Sequence, residues 1–567
     1  MGGGLMQLVA YGAQDVYLSG NSQITFFKAV YRRHTNFSIE PIQQTWNGAA
    51  GFGRTVTCTI NRNGDLITNM YVVVKLNSQL AQDPQTGVEW GFVNRLGHAL
   101  IENVKIEIGG SKIDEHYGDW LNIWYELTHK PGQTRGYAKM IGDLPELTTI
   151  DKQAFKGYQM YIPLQFWFNR NNGLALPLIA LQYHDVRVTL QYRSDAQCIN
   201  YVGVSAPTFT NPLMADSYLL IDYVYLDSEE RKRFAQASHE YLIEQLQFNG
   251  SDSVSGISKK YYLNFNHPCK YLIWAYHLAK FTNANTNNKW LAYASDGDWN
   301  AARNRFAKIL ACACSKQFTI TPGFAYYTYV AGNDVENNEL CDFTPSSTPT
   351  QIFSDASLTR QLLDKISVKF IAQTNSPVAN QGLYEDGLSQ GMIKIGTKDE
   401  GTKILDKMIV TRNELTMSDI SNVYSSTTNS SNDSHILIST FLYSVTNFFN
   451  YGTNLDGSNN VCTSAKLQLN GHDRFQQRDG NYFNYVQPAQ HFPKTPVDGI
   501  NVYSFALNAE DHQPSGTCNF SRIDNATLQV DISSTTVTNS NNILNIYTQN
   551  YNVLRIMSGM AGTAYSN

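Results

Sequence analysis

Alternation of apolar and polar residues with a period of two runs through much of the chain. Between Asn103 and Asp114, Val104, Ile106 and Ile108 fall on one side while Lys105 and Glu107 fall on the other. That is the pattern of a strand with one buried face. Gly109-Gly110 follows, a pair that accepts the positive φ values of a two-residue hairpin turn. Val186, Val188, Leu190 and Tyr192 oppose Arg187, Thr189, Gln191 and Arg193 in the same way, and Ala526, Leu528, Val530 and Ile532 share a face further on. Helical periodicity is confined to short pieces. Gly118–His129 has Asp119 as its expected N-cap and Trp120, Ile123, Trp124 and Leu127 on one stripe. Asp227–Leu242 opens with a capping Asp227 and an acidic first turn, and Ser357–Ile366 is a third helical stretch. A helix after nearly every strand, as a parallel α/β fold requires, is absent.

The pattern is written twice. "IEPIQQTWNG" from Ile39 is echoed by "IEQLQFNG" from Ile243, and "INRNGDLITNMYVVV" from Ile60 by "LNFNHPCKYLIWAYH" from Leu263. Order and offset agree, which predicts a duplicated all-β domain joined by a charged helix from Asp227 to about Tyr241. The closing alternating strands, Asp185–Arg193 and Asn525–Ile532, stand further apart than that offset. The second copy therefore carries a large insertion, mostly between Phe281 and Ala465. Its runs of Asn, Ser and Thr, such as "YSSTTNSSNDS", predict exposed loops crowning the second domain.

Composition narrows the function classes. A chain of 567 residues exceeds one ordinary core, and 42% hydrophobic residues exclude disorder. Charged residues reach only 16%, and the net charge is −5, so no basic face for nucleic-acid phosphates is expected. The densest basic run, Arg231–Arg233, is cancelled by the acidic residues before it. No apolar run is long enough to span a bilayer. The start lacks a secretory pattern, and Met6 stands where N-myristoylation needs Ser or Thr. Eight cysteines are too sparse for a disulfide scaffold.

The chemical candidates are weak. "GTKDEGTK", Gly396–Lys403, places Thr402 before Lys403, the reverse of a phosphate-binding loop. Cys312 and Cys314 lack zinc-ligand spacing. His472 and Asp473 are neighbours, and adjacent strand residues point to opposite faces. "HQPSGTCNFSRID", from His512, brings a histidine, a cysteine and an aspartate close together. Nothing local lowers the Cys518 pKa, since Cys518–Phe520 leads into a strand rather than a helix, and Gln513–Gly516 reads as a turn. No catalytic, cofactor-binding or metal-binding residue is expected, and no cofactor. Of six glycosylation sequons, at Asn36, Asn249, Asn429, Asn432, Asn519 and Asn525, Asn429 and Asn432 in the exposed loop are the surface candidates, provided the chain meets a glycosylating enzyme.

"QPSGTCNFSRIDNATL" also resembles a signature of the major capsid proteins of large icosahedral nucleocytoplasmic DNA viruses. "GGGLMQLVAYGAQDVYL" and "ITFFKAVYRRHTNFSIE" look like that family's amino-terminal arm and first strand. "LQFWFNRNNGLALPLIALQYHDVRV" resembles the end of its first domain, and "HEYLIEQLQ" its interdomain link. "LQLNGHDRF", "GINVYSFAL" and "YNVLRIMSGMAGTAYSN" match its second domain. The resemblance implies two consecutive eight-stranded antiparallel jelly rolls with short helices and long loop insertions. It places an extended Gly-rich arm at residues 1–25, the first roll at 26–225, a helical linker at 226–240 and the second roll at 241–567, with the insertions at about 281–465. It further implies a non-enzymatic shell subunit that forms homotrimers of hexagonal outline tiling an icosahedral capsid, made in host cytoplasm. The partners it implies are copies of itself, minor capsid proteins beneath the shell and inner membrane proteins reached through the arm, with no direct nucleic acid. A glycan-binding or cell-attachment β-sandwich is the alternative suggested by the Asn- and Tyr-rich loops.

Overall fold

The computed structural model describes residues 2–80, 89–150, 154–202, 207–254, 256–278, 451–453, 459–533 and 542–565. Between 279 and 450 it describes only the strands Phe318–Ile320, Tyr326–Tyr329, Ile366–Thr374 and Ile436–Thr446. The first roll is built from β1 (Phe37–Thr45), β2 (Thr55–Thr59), β3 (Leu66–Leu76), β4 (Ile101–Ile108), β5 (Ser111–Tyr117), β6 (Tyr158–Pro163), β7 (Val186–Tyr192) and β8 (Met214–Leu226). They form two antiparallel sheets, β1-β8-β3-β6 and β2-β7-β4-β5. The second roll uses β9 (His239–Ser253), β10 (Ser258–Tyr262), β11 (Pro268–His277), β12 (Cys462–Leu469), β13 (His472–Asp473), β14 (Ile500–Ser504), β15 (Ala526–Ile532) and β16 (Ile543–Met557). Its sheets are β9-β16-β11-β14 and β10-β15-β12-β13. Adding eight to every strand number of the first roll gives the second, so the repeat in the sequence is a repeat of topology.

Residues paired across a strand ladder point the same way, so the ladders identify the faces. Val104, Ile106 and Ile108 in β4 pair with Leu190, Val188 and Val186 in β7. All six are buried, as alternation requires of a half-buried sheet. Gly109 and Gly110 turn β4 into β5 at φ +58° and +81°, where a side chain would be strained. Ala526, Leu528, Val530 and Ile532 line the corresponding inner face of the second roll.

β11 departs from alternation: Cys269 to Tyr276 are buried without a break. One side faces its own roll, where Trp274 meets Phe483 at 5.1 Å. The other side contributes Tyr271, Ile273 and Ala275 to a single apolar cluster shared with the first roll. A strand covered on both faces reads as a continuous apolar run.

Four sequence expectations change. The linker helix α2 covers Ser228–Gln236 and is capped by Asp227, whose carboxylate accepts from Glu230 N at 2.9 Å. It ends well short of Tyr241, because the His239 ring meets Phe234 O at 2.8 Å and His239 begins β9. Residues 2–36 contribute no side chain to either core and include two short helices, Gly3–Val9 and Val16–Ser19, so the arm is not simply extended and the first strand starts at Phe37. The insertion ends before Cys462, since β12 pairs with β15 from Cys462 on; its described part is the four strands named above, which join Thr149–Ile150 of the first roll in a five-stranded sheet, rather than loops alone. Finally, Cys518–Asn519 is a two-residue strand followed by the 3₁₀ turn Phe520–Arg522, not the start of a longer strand. Ser357–Lys365 of the expected third helix lies outside the described residues, and Ile366 opens a strand.

Candidate functional site at the seam between the rolls

α1 (Gly118–Thr128) follows β5 and lies against the second roll. Its apolar stripe explains that placement: Trp120, Ile123, Trp124 and Leu127 are all buried, and Trp120 packs on Tyr547 at 5.9 Å. Asp119 in its first turn is not the cap; Tyr117 holds that position without a side-chain bond. Asp119 is buried instead and gathers partners from the other roll. Its carboxylate accepts from Tyr451 Oη at 2.7 Å and Tyr547 Oη at 2.9 Å, and meets His277 Nε2 at 3.1 Å. Burial alone would push this carboxyl up, but His277 and the two hydroxyls outweigh it and hold it at about 2.

A second ionic cluster crosses the seam at Glu244 in β9, which is 2% exposed. Its carboxylate takes Arg170 of the first roll at 2.7 Å, Lys270 of β11 at 2.9 Å and His512 at 3.4 Å. Burial opposes ionisation here too, and Arg170, His512 and Lys270 together bring the carboxyl down to about 2. Burial likewise lowers Lys270, although Glu244 works against the shift. A third cluster joins Glu126 of α1 to Lys494 of the second roll at 3.2 Å, with Arg95 also bound to Glu126. Asp114 accepts the Leu246 backbone N–H at 2.9 Å, which fixes β5 against the edge strand β9.

Between these clusters is a cleft of about 540 Å³, lined in part by Trp124, Trp167 and Arg170 from the first roll and by Glu244, Asp511 and His512 from the second. Its lining sets Lys130 and Arg170 against Glu244, Glu510 and Asp511. A carboxylate held near 2 stays ionised at neutral pH, so Glu244 stands as a fixed counter-ion between the two rolls.

The residues that looked chemical in the sequence do not converge. His512 turns to Glu244, whereas Cys518 stands opposite Cys269 in the β11 ladder. Burial pushes the Cys518 thiol up, away from the thiolate a nucleophile needs. Asp473 binds Lys466 and Gln468 rather than its neighbour His472. Among the described residues no group of three side chains has the makings of a metal site. Gly396–Lys403, Cys312, Cys314, Asn429 and Asn432 lie outside the described residues. The seam itself was missed by sequence reasoning. Its one local signal was the density of Asn, Gln and Tyr in β16, Asn545 to Asn552, a strand too buried for such a composition unless its polar atoms have partners.

Two family profiles match the chain. That of the major capsid protein N-terminus spans residues 25–227, and that of the large eukaryotic DNA virus major capsid protein spans 230–371 and 407–562. Capsid protein 1 of Acanthamoeba polyphaga mimivirus is 42% identical, and the major capsid protein of Paramecium bursaria Chlorella virus 1 is 36% identical; each match covers all of both chains. The crystal structure of PBCV-1 VP54 superposes with a TM-score of 0.57 at 31% identity, covering 96% of this chain and 100% of that one. The Faustovirus major capsid protein, at 12% identity, shares the fold with the same TM-score of 0.57 over 96% of this chain and 94% of its own.

Proposed function

The chain belongs to the major capsid proteins of large eukaryotic DNA viruses, a structural component of the virion capsid, and on that premise we propose that three copies close into a capsomer of hexagonal outline that tiles an icosahedral shell without catalysing any reaction. The observation that carries this reading is the duplicated topology locked by a buried seam. One chain is then two similar wedges held at a fixed angle, and three chains supply six. An obligate ring of this kind needs interfaces on the order of 2,000–5,000 Å². The exposed arm, with Leu8, Tyr17, Leu18, Phe26, Phe27 and Tyr31 all facing outward, supports docking on minor capsid or inner membrane proteins during assembly in host cytoplasm. Sedimentation of the purified chain tests the stoichiometry. Three chains of 63.7 kDa predict a species of about 190 kDa, and a monodisperse monomer at micromolar concentration would overturn the reading.

A further inference from the structure

Five cysteines among the described residues are free thiols. Across their ladders Cys58 faces Val188 and Cys462 faces Ile532, and Cys198 closes the short helix Asp195–Cys198. The remaining two face each other. Cys269 in β11 is the direct ladder partner of Cys518, and Pro268 is that of Asn519. Proline has no N–H to give, so Pro268 and Asn519 occupy a position where the two strands exchange no bonds. On one side of it Phe520 N donates to His267 O at 3.1 Å. Alternation then makes Cys269 and Cys518, on the other side, a hydrogen-bonded pair. Such pairs hold their Cα atoms about 5.5 Å apart with both side chains on one face of the sheet. A disulfide spans Cα atoms about 4.4–6.8 Å apart, most often near 5.5–6 Å, so the backbone already stands at bridging distance.

Cys269 is fully buried and Cys518 half-buried. Burial pushes the Cys269 thiol up to about 12, and the nearby Cys518 adds to the rise. Cys269 Sγ rests 3.5 Å from the Asn266 and His267 carbonyls, and rotation about its Cα–Cβ bond turns it toward Cys518. We propose that Cys269 and Cys518 are a disulfide site, open while the chain is held among reduced thiols and closed in a virion outside the cell. Cytosolic thiols are kept reduced, whereas disulfides form and persist at virion surfaces. The electron acceptor is a small disulfide of the glutathione class. Cys518 gives up its proton and attacks one sulfur of that disulfide, releasing one small thiolate and leaving a mixed disulfide. Cys269 then gives up its proton, and its sulfur displaces the second small thiolate from Cys518. Two protein thiols are oxidised, and one donor disulfide is reduced to two thiols. Raised thiols exchange slowly, which leaves the site open during assembly. The bond staples the strand carrying Lys270 to the segment carrying Asp511 and His512, where Lys270 Nζ already donates to Asp511 O at 2.8 Å. It therefore secures the Glu244 cluster from one side.

Peptide mapping of the full-length chain tests the site. The purified protein is incubated with excess oxidised glutathione at mildly alkaline pH, its remaining thiols are blocked, and it is digested with trypsin without reduction. Cleavage after Lys260, Lys270, Lys494 and Arg522 isolates Cys269 in peptide 261–270 and Cys518 in peptide 495–522, each with no other cysteine. The two peptides are expected as one linked species, lighter than their sum by two hydrogens and absent from a sample kept in reductant. The oxidised chain is expected to melt roughly 5 °C or more above the reduced one. Cys518→Ser changes one atom of a half-buried side chain, and in that variant glutathione should produce neither the link nor the rise. Both thiols still free after prolonged oxidation, or Cys518 linked to a cysteine other than Cys269, overturns the assignment. A linked chain that melts no higher, or a Cys518→Ser chain that gains the same rise, overturns the stapling role.

Discussion

Replacing Glu244 by leucine removes the anion on which Arg170, Lys270 and His512 converge. The three partners are not equally exposed to the consequence. The Arg170 side chain is 17% exposed and lines the cleft, so it can turn toward water. Lys270 is fully buried, and the Asp511 carbonyl at 2.8 Å would be its remaining hydrogen-bond acceptor. Leaving a buried ammonium without its counter-ion costs about 3–5 kcal/mol. The fall of the Glu244 carboxyl from 4.5 to about 2 corresponds to roughly 3 kcal/mol of preference for the ionised form, which agrees in size. Against a typical total of about 5–15 kcal/mol, that is a large fraction. Urea denaturation followed by tryptophan fluorescence reads it directly, because Trp124 and Trp167 line the same cleft. Adding Lys270→Met to the Glu244→Leu variant removes the stranded charge and should restore most of the loss, leaving a residual of about 1–2 kcal/mol from Arg170. A single substitution costing less than about 1 kcal/mol, or a double variant no more stable than the single one, would refute the claim that this cluster fastens the rolls.

Acid should loosen the seam. Asp119 and Glu244 both have folded-state carboxyls below their ordinary values of 3.8 and 4.5, at about 2. Their stabilisation is therefore complete above about pH 4.5 and is lost as the pH falls toward 2. Melting temperature recorded across that window should drop, and the Asp119→Asn, Glu244→Gln pair should start lower at neutral pH with a shallower slope. Leu528→Asp places a charge on a side chain that is 1% exposed in the second core, and the variant should fail to fold; a normally assembled product would show that the inward face is misassigned. Deletion of residues 2–23 should leave the melting temperature unchanged, since none of them is buried, while hindering shell assembly. An unfolded truncation would contradict that division of labour.

Much of the fold could be read locally. β4, β7 and β15 were legible because each has one wet face and one dry face, which forces a period of two. The hairpin after β4 was legible because its turn needs two consecutive positive φ values, and Gly109-Gly110 meets that need without strain. Where a residue's partners are distant in sequence, local patterns mislead. Asp119 has the look of a cap because caps are chosen by near neighbours, but its partners His277, Tyr451 and Tyr547 lie 158, 332 and 428 residues away. The charged stretch around His239 reads as the end of a helix. It becomes a strand because β16 offers it a ladder from Ile556 back to Ile543. Glu244 gives no local warning at all: its neighbours in sequence are those of any half-exposed strand, and only packing against the first roll makes it a buried counter-ion.

If one chain is two fused wedges made to join others, electron micrographs of the purified protein will show a particle of hexagonal outline with six similar lobes from three chains. A solitary two-lobed particle at micromolar concentration would contradict that assembly.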